Sequence, residues 1–148
     1  MSTQFALIGH SGAGKTSCLK QLGFSPNKAD MDNALGTNQR PSLSRLREWF
    51  SDPDTPVLVA ASIHGPFQDW FEDIKLAGVA KLIYLCKPKE QIAEHVRDRC
   101  IQDQETTLNT YDALDVIFRV FAKYVVYCAT KDVATVGSEV SRIIYNAK

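Results

Sequence analysis

Residues 9–16 have the sequence GHSGAGKT, which fits the pattern G-x-x-x-x-G-K-[ST] of a phosphate-binding loop, or Walker A motif. Glycines let such a loop curl, so that successive backbone N–H groups point at phosphate oxygens. Lys15 supplies a mobile positive charge for the β- and γ-phosphates, and the Thr16 hydroxyl can ligate Mg²⁺. The helix expected next adds the positive end of its dipole. The motif therefore predicts a strand, a tight loop and a helix that together bind a nucleotide phosphate.

The residues on both sides of the loop favour the same order of elements. Residues 4–8, QFALI, form a short apolar run that is typical of a buried parallel strand. After Thr16, the apolar residues Cys18, Leu19 and Leu22 recur at helical spacing, and Gly23 is a plausible end for that helix.

Length and charge limit the class of protein. With 148 residues, the chain is the size of one domain with its own core. Its 17 basic and 17 acidic residues cancel, which removes any bulk electrostatic case for nucleic acid or an anionic membrane as the main partner. We expect no membrane span, because no apolar run approaches the required length, and no signal peptide, because the first strand and the loop begin close to residue 1. A cytoplasmic location follows as the expectation.

Cysteine and histidine give no sign of a metal site. The chain has 4 cysteines without a C-x-x-C pair and 3 histidines without metal-ligand spacing. The cysteines lie in apolar patterns, so we expect them to be small buried residues in a reducing compartment. They are Cys18, Cys86, Cys100 and Cys128.

Short apolar runs alternate with helical patterns along the chain. The predicted strands are residues 4–8, 27–30, 57–62, 81–86 and 131–136. Helices are predicted at about 42–50, 67–77, 88–100 and 110–128 and at the C-terminus, and the polar segment 102–110 is predicted to be a mobile flap. Alternating strands and helices imply right-handed parallel crossovers, and hence a doubly wound α/β domain.

Ligands of such sheets bind beyond the carboxyl ends of the strands, where Asp30 and Asp32 follow the second predicted strand. One carboxylate could bind Mg²⁺, directly or through water. The other could orient a substrate hydroxyl or accept its proton. The alternative is an ordinary acidic turn, since Asn33 and Gly36 follow. After the third strand, His64 is better explained as a loop residue than as a catalyst.

Arginines supply further candidates. Arg97 and Arg99 lie at the root of the predicted flap, where they could close over phosphates; the alternative is a pair of solvated charges at a helix end. Arg119 is a weaker candidate for the same role. An anionic acceptor could use the arginines between Asp32 and the third strand, although surface charge explains them equally well. These are Arg40, Arg45 and Arg47.

With the loop at 9–16, the Asp30-x-Asp32 strand end and the strand–helix–Arg-x-Arg pattern of 81–99, the chain resembles the small phosphate-loop kinases. Shikimate and gluconate kinases are the nearest groups, within the nucleoside monophosphate kinase fold. The resemblance implies a three-layer P-loop NTPase fold with five parallel strands in the order 2-3-1-4-5. It implies a single domain over residues 1–148, with a short acceptor segment at about 31–56 and a short lid at about 98–110.

The resemblance also implies an activity. The chain would be an ATP-dependent kinase that transfers the γ-phosphate to the hydroxyl of a small-molecule acceptor, with Mg²⁺ as cofactor. By position, Lys15, Asp32 and Arg99 would be the catalytic residues, and Thr16 and Asp30 would hold the metal. The nucleotide-binding residues would be Gly9, Ser11, Gly12, Ala13, Gly14, Lys15, Thr16 and Ser17.

The chain departs from these kinases in ways that keep two alternatives open. The acceptor segment and lid are short, and residues 62–65, SIHG, replace the glycine-rich turn that shikimate kinases carry after the third strand. A non-catalytic nucleotide-binding module is therefore one alternative. A small GTPase is the other, but the chain has no D-x-x-G after a strand, and residues 130–132, TKD, are a poor match for a guanine-reading motif.

Overall fold

The structure is a computed structural model that describes residues 5–10, 13–23, 58–60, 81–129 and 131–146, with the backbone alone at 58–60 and 103. The strands are β1 (Phe5–Ile8), β2 (Leu58–Ala60), β3 (Lys81–Cys86) and β4 (Tyr124–Tyr127). The helices are α1 (Lys15–Gln21), α2 (Lys89–His95), α3 (Ile101–Asn109), α4 (Tyr111–Phe121) and α5 (Val133–Asn146).

The described strands form one parallel sheet in the spatial order β2-β1-β3-β4. The register pairs Ile8 with Tyr84 and Cys86 with Tyr127, so the carboxyl ends of β1, β3 and β4 share one edge. The predicted α/β domain with a parallel sheet is confirmed. The predicted second strand at 27–30, the acceptor segment at about 31–56 and the helices at about 42–50 and 67–77 lie outside the described residues.

One face of the sheet packs against α1 and α5. Alternate residues of β1, β3 and β4 point to this side, and β1 and β3 are buried almost throughout, as strands covered on both faces require. Apolar residues of α1 and α5, at three- and four-residue spacing, cover this face of the sheet. The buried cluster consists of Phe5, Leu7, Cys18, Leu19, Ile83, Leu85, Val126, Cys128, Val136 and Val140.

The opposite face packs against α4. Tyr84 of β3 is fully buried there and lies 4.9 Å, between ring centroids, from Phe118 of α4. Tyr111, Leu114 and Phe118 form the buried stripe of this helix. Because α4 begins beside the carboxyl end of β3, its first turn reaches the loop that follows β1.

The predicted strand at 131–136 is wrong, because that segment begins helix α5 at Val133. Val136 and Val140 are buried at helical spacing, which outweighs the modest β preference of the valines. Asp132 is the start signal, since its carboxylate accepts the Thr135 N–H at 2.8 Å. The last described strand is instead β4.

The predicted helix over 110–128 is too long. It ends at Phe121, because Ala122 has an extended backbone with φ −71° and ψ 134°, and β4 follows. Residues 124–127, YVVY, are β-branched and aromatic, but Val125 also continues the helical spacing of α4, so the pattern alone fits both structures. Helix α2 is also shorter than predicted, ending at His95 rather than near residue 100.

The polar segment 102–110 is not an irregular flap but most of helix α3, which runs from Ile101 to Asn109. Its polar residues suit a helix whose described side chains are largely exposed. Gln104 connects it to the preceding turn, because its side-chain amide donates to the carbonyls of Arg97 and Arg99 at 3.1 and 2.6 Å. A short regular helix thus occupies the region expected to be the lid.

The cysteines follow the prediction with one exception. Cys18, Cys86 and Cys128 are buried, whereas Cys100 is exposed where α3 begins. Burial raises the pKa of Cys18 to about 12 and that of Cys128 to about 11, so both thiols stay protonated. Among the described residues, no group of three or more His, Cys, Asp or Glu side chains could hold a metal ion. Within the same part of the chain, no helix has the length and apolar character needed to cross a membrane.

Candidate nucleotide-binding site

Two glycines allow the chain to turn sharply after β1. A Cβ atom on Gly9 would lie 3.0 Å from the Leu85 carbonyl oxygen and 3.3 Å from the Ala13 Cβ, so the loop leaves β1 pressed against β3. Gly14 precedes the first residue of α1 with φ 90° and ψ 23°, a left-handed conformation that favours glycine. Glycine is therefore required at both positions, at Gly9 because there is no room for a Cβ atom and at Gly14 because the backbone is left-handed.

Lys15 lies across the base of this loop. Its ammonium group donates to the carbonyl oxygens of Gly9 at 2.9 Å and His10 at 3.1 Å, and the side chain is only 7% exposed. The His10 carbonyl also accepts the Ala13 N–H at 3.0 Å, which closes the turn. A buried positive charge is thus held by backbone dipoles in a loop whose pattern is that of phosphate binders.

The other predicted site residues are placed in part. Thr16 is half-buried and Ser17 exposed, both in the first turn of α1. Arg99 is exposed between α2 and α3. Ser11, Gly12, Asp30 and Asp32 lie outside the described residues. The binding and catalytic roles assigned to these residues stay predictions.

His10 joins the phosphate loop to the first turn of α4. Its side chain is 2% exposed, and its Nε2 lies 3.0 Å from the Tyr111 carbonyl oxygen. A carbonyl can only accept, so Nε2 carries the proton. The imidazole also stacks on the Tyr111 ring, with centroids 4.0 Å apart and planes 13° from parallel, and meets Phe118 edge-on at 5.2 Å. His10, at a variable position of the motif, is therefore a buried residue that connects the loop to α4.

The environment of His10 keeps its ring neutral. Burial lowers its pKa below 6.5 and the Lys15 charge lowers it further, which together outweigh the hydrogen bond to Tyr111 and the negative charges of Asp115 and Asp112. The described loop therefore carries the positive charge of Lys15 without a second one beside it.

This lowered pKa predicts a pH-dependent stability. At pH values between the pKa of His10 in the folded protein and 6.5, the unfolded chain binds more protons at His10 than the folded chain does. The stabilisation of the fold by neutral His10 is therefore complete above pH 6.5 and is lost as the pH falls. The free energy of unfolding of the wild type should drop below pH 6.5 by at most about 1.4 kcal/mol per pH unit from this group. His10→Gln, which does not titrate, removes this contribution. Urea denaturation from pH 7.5 to 5.5 measures it, and parallel profiles for the two proteins would contradict the assignment.

A polar network behind the loop ties β3 and β4 to α4. The Tyr84 hydroxyl donates to Asp115 at 2.6 Å and lies 3.5 Å from His10 Nδ1. Arg119 donates from Nε to both Asp115 oxygens at 3.1 and 3.0 Å, and from its terminal nitrogens to the Tyr127 hydroxyl and the Cys86 sulfur, each at 3.2 Å. The network connects the Asp115–Arg119 ion pair to the Tyr84 hydroxyl, which lies next to the His10 imidazole.

Asp115 is the centre of that network. Its partial burial acts to raise the pKa, but the hydrogen bonds from Tyr84 and Arg119 and the Arg119 charge hold the pKa of the carboxyl below its usual value. Burial and Asp115 raise the pKa of Tyr84. The pair therefore stays a phenol and a carboxylate at neutral pH.

Removing Asp115 should destabilise the fold. Asp115→Ala leaves the buried Tyr84 hydroxyl without this acceptor and should cost about 1–3 kcal/mol of the free energy of unfolding. Asp112→Ala is the matched control on the same helix, because the Asp112 side chain is 86% exposed and its pair with Lys89 is 3.8 Å long. An exposed pair of this kind contributes about 0–1 kcal/mol. Equal losses in the two variants, measured by urea denaturation, would exclude the proposed role of Asp115.

Sequence reasoning did not single out His10, Tyr84 or Asp115. One signal was available, since Asp115 and Arg119 are four residues apart, the spacing of an ion pair on a helix. His10 and Tyr84 gave no such signal, because their contacts join residues far apart in sequence. Arg119, a weak candidate for a phosphate ligand, is instead bound to Asp115, Tyr127 and Cys86.

Comparison with known proteins agrees with this architecture. No protein-family model matches the chain, and no curated protein matches it by sequence. Shikimate kinase from Acinetobacter baumannii, solved with shikimate, superposes with a TM-score of 0.69 at 15% identity, covering 99% of this chain and 94% of that one. This chain has the fold of the small phosphate-loop kinases.

Two further structures support that likeness. The shikimate kinase from Bacteroides thetaiotaomicron gives a TM-score of 0.62 at 14% identity, over 97% of this chain and 98% of that chain. A gluconokinase from Sinorhizobium meliloti gives 0.55 at 14% identity, over 99% and 95%. The predicted resemblance to shikimate and gluconate kinases is confirmed at the level of the fold, which is what an identity this low can show.

Proposed function

We propose that the protein is an ATP-dependent kinase that transfers the γ-phosphate to a hydroxyl of a small-molecule acceptor. The observation that carries the proposal is the position of Lys15. Its buried ammonium group is held at the base of a G-x-x-x-x-G-K-T loop by the Gly9 and His10 carbonyls. The kinase fold supports it, because phosphate loops in that fold serve phosphoryl transfer.

The loop would hold the nucleotide by its phosphates. The backbone N–H groups of the loop and the Lys15 ammonium group would bind the β- and γ-phosphates. Lys15 exchanges neutral carbonyl partners for anionic oxygens, which make stronger hydrogen bonds. His10 adds no charge of its own to the loop, because its pKa is lowered.

Magnesium fits the donors near the loop. Mg²⁺ prefers oxygen ligands, and the Thr16 hydroxyl stands in the first turn of α1, directly after Lys15. Asp30 would supply a carboxylate. The ion would neutralise phosphate charge during transfer. Among the chain's own residues, Thr16 and Asp30 would hold it.

The transfer step needs an acceptor group and an enclosed site. Asp32 would orient the acceptor hydroxyl and accept its proton, and Arg99 would stabilise charge on the transferred phosphate. Catalysis would depend on positioning and charge neutralisation, without a covalent intermediate on the protein.

Nucleotide and acceptor preferences test this proposal. Mg²⁺-ATP should stabilise the protein in a thermal-shift assay more than Mg²⁺-GTP, because the proposed phosphate donor is ATP. A small panel of hydroxylated acids, with shikimate and gluconate included because the similar structures are named for them, should contain compounds that stabilise only when nucleotide is present. Clear selectivity for GTP would favour a GTPase instead.

A further inference from the structure

The phosphate loop contacts the region expected to be the lid at two points. The first is His10, which hydrogen-bonds the Tyr111 carbonyl at 3.0 Å and stacks on the Tyr111 ring at 4.0 Å. Tyr111 is the first residue of α4 and follows Thr110, which ends α3 and begins α4. The imidazole therefore contacts the residue next to the junction of the two helices.

The second point is a small apolar cluster around Ala13. Ala13 of the loop packs with Ile92 of α2 and Tyr111 of α4, and Leu108 from the last turn of α3 packs against them. The Tyr111 hydroxyl donates to the Lys87 carbonyl at 2.6 Å, which fixes this ring to the end of β3. Leu108 thus joins α3 to the phosphate loop through a shared cluster.

Helix α3 buries little else. Of the side chains described between Ile101 and Asn109, none is fully buried, and Ile101 is 73% exposed. A helix with few buried apolar contacts opens at low free energy unless something holds it. Besides the Gln104 hydrogen bonds to the Arg97 and Arg99 carbonyls, the contacts at its C-terminal end, through Leu108 and the Thr110–Tyr111 junction, therefore hold it in place.

We propose that His10 is a positioning residue that couples phosphate binding in the loop to the stability of helix α3. Phosphate bound in the loop restricts the motion of His10 and Ala13. Because both residues contact Tyr111, and Leu108 packs in the same cluster, the end of α3 becomes less mobile as well. The inference rests on the proposed function, since it requires that the loop bind a nucleotide. Because coupling is reciprocal, loss of the contact also weakens nucleotide binding.

Hydrogen exchange of residues 101–110, measured by mass spectrometry with and without Mg²⁺-ATP, tests the coupling. In the wild type, saturating nucleotide should slow exchange by about fivefold or more, the lower end of common coupling strengths. In His10→Ala, exchange without nucleotide should be faster than in the wild type, and saturating nucleotide should slow it much less. His10→Gln, whose amide can still donate to the Tyr111 carbonyl, should recover part of the response.

Two further proteins complete the design. Tyr111→Leu keeps the backbone carbonyl but removes the ring stack and the hydroxyl bond to Lys87, so it tests the junction if His10→Ala does not fold. Tyr145→Ala is the control, because Tyr145 is 77% exposed near the end of α5 and makes neither contact. It should respond to nucleotide as the wild type does.

The outcomes separate the two proposals. Calorimetry on the same samples reports nucleotide binding, and a wild type that does not bind Mg²⁺-ATP or Mg²⁺-GTP contradicts the proposed function. A wild type that binds nucleotide without slower exchange at 101–110 overturns the coupling alone. So does a His10→Ala protein whose response to saturating nucleotide equals that of the wild type.

Discussion

Replacing Lys15 with alanine is expected to abolish nucleotide turnover and to weaken nucleotide binding severely. The ammonium group already lies at the base of the loop, where it exchanges hydrogen bonds to the neutral Gly9 and His10 carbonyls for stronger ones to anionic phosphate oxygens. Loss of one preorganised group of this kind lowers kcat by about 10²–10³-fold in other enzymes. Calorimetric titration with Mg²⁺-ATP and an assay of ADP release measure the two effects.

The controls for Lys15 separate charge from packing. Because the side chain is only 7% exposed, Lys15→Met, which keeps an unbranched apolar stem without the charge, should fold and should lose activity as the alanine variant does. Lys20→Ala removes an exposed lysine from the same helix and should behave as the wild type. Full ATP turnover in Lys15→Met would show that the loop does not use its lysine for phosphate.

The second large effect is expected at Asp32. Asp32→Asn should leave ATP binding intact but stop transfer, because an amide cannot accept the proton of the acceptor hydroxyl. The dissociation constant for Mg²⁺-ATP should stay within a few-fold of the wild type, while acceptor-dependent ADP formation falls by about 10²–10⁴-fold, the usual contribution of a general base.

Asp30→Asn is the informative partner for that variant. If Asp30 holds the metal, its replacement should raise the Mg²⁺ concentration needed for half-maximal activity, whereas Asp32→Asn should not. Glu139→Gln, on α5 and paired with Lys131 at 2.8 Å, is a control for the loss of one negative charge elsewhere. Unchanged activity in Asp32→Asn would remove that residue from the mechanism.

Sequence patterns located the elements around the phosphate loop well, because each had two agreeing signals. The apolar run at 4–8 and the glycines fixed the end of β1, and the stripe through Cys18 and Leu19 fixed α1. The predicted strand 81–86 agrees with β3, since it combines apolar character with a length of six residues. Local pattern and tertiary burial point to the same structure at these places.

Patterns failed where one spacing fits two structures. Val125 extends the helical stripe of α4 and also suits the strand that β4 forms. Pairing with β3, such as that of Tyr84 with Val125, decides in favour of the strand. This pairing joins residues that are far apart in the sequence. The anchoring of His10 by Tyr111, 101 residues away along the chain, could not be predicted for the same reason. Part of the candidate site therefore depends on contacts that no short motif records.

Acceptor-dependent formation of ADP from Mg²⁺-ATP tests the central claim most directly. The assay combines the wild-type protein, ATP and a panel of small hydroxylated acceptors, and measures ADP together with the phosphorylated acceptor by mass spectrometry. The predicted result is equal amounts of the two products with at least one acceptor, and neither product above background with Lys15→Met. Tight ATP binding with no acceptor-dependent ADP across the panel would contradict the claim and indicate a nucleotide-binding module without kinase activity.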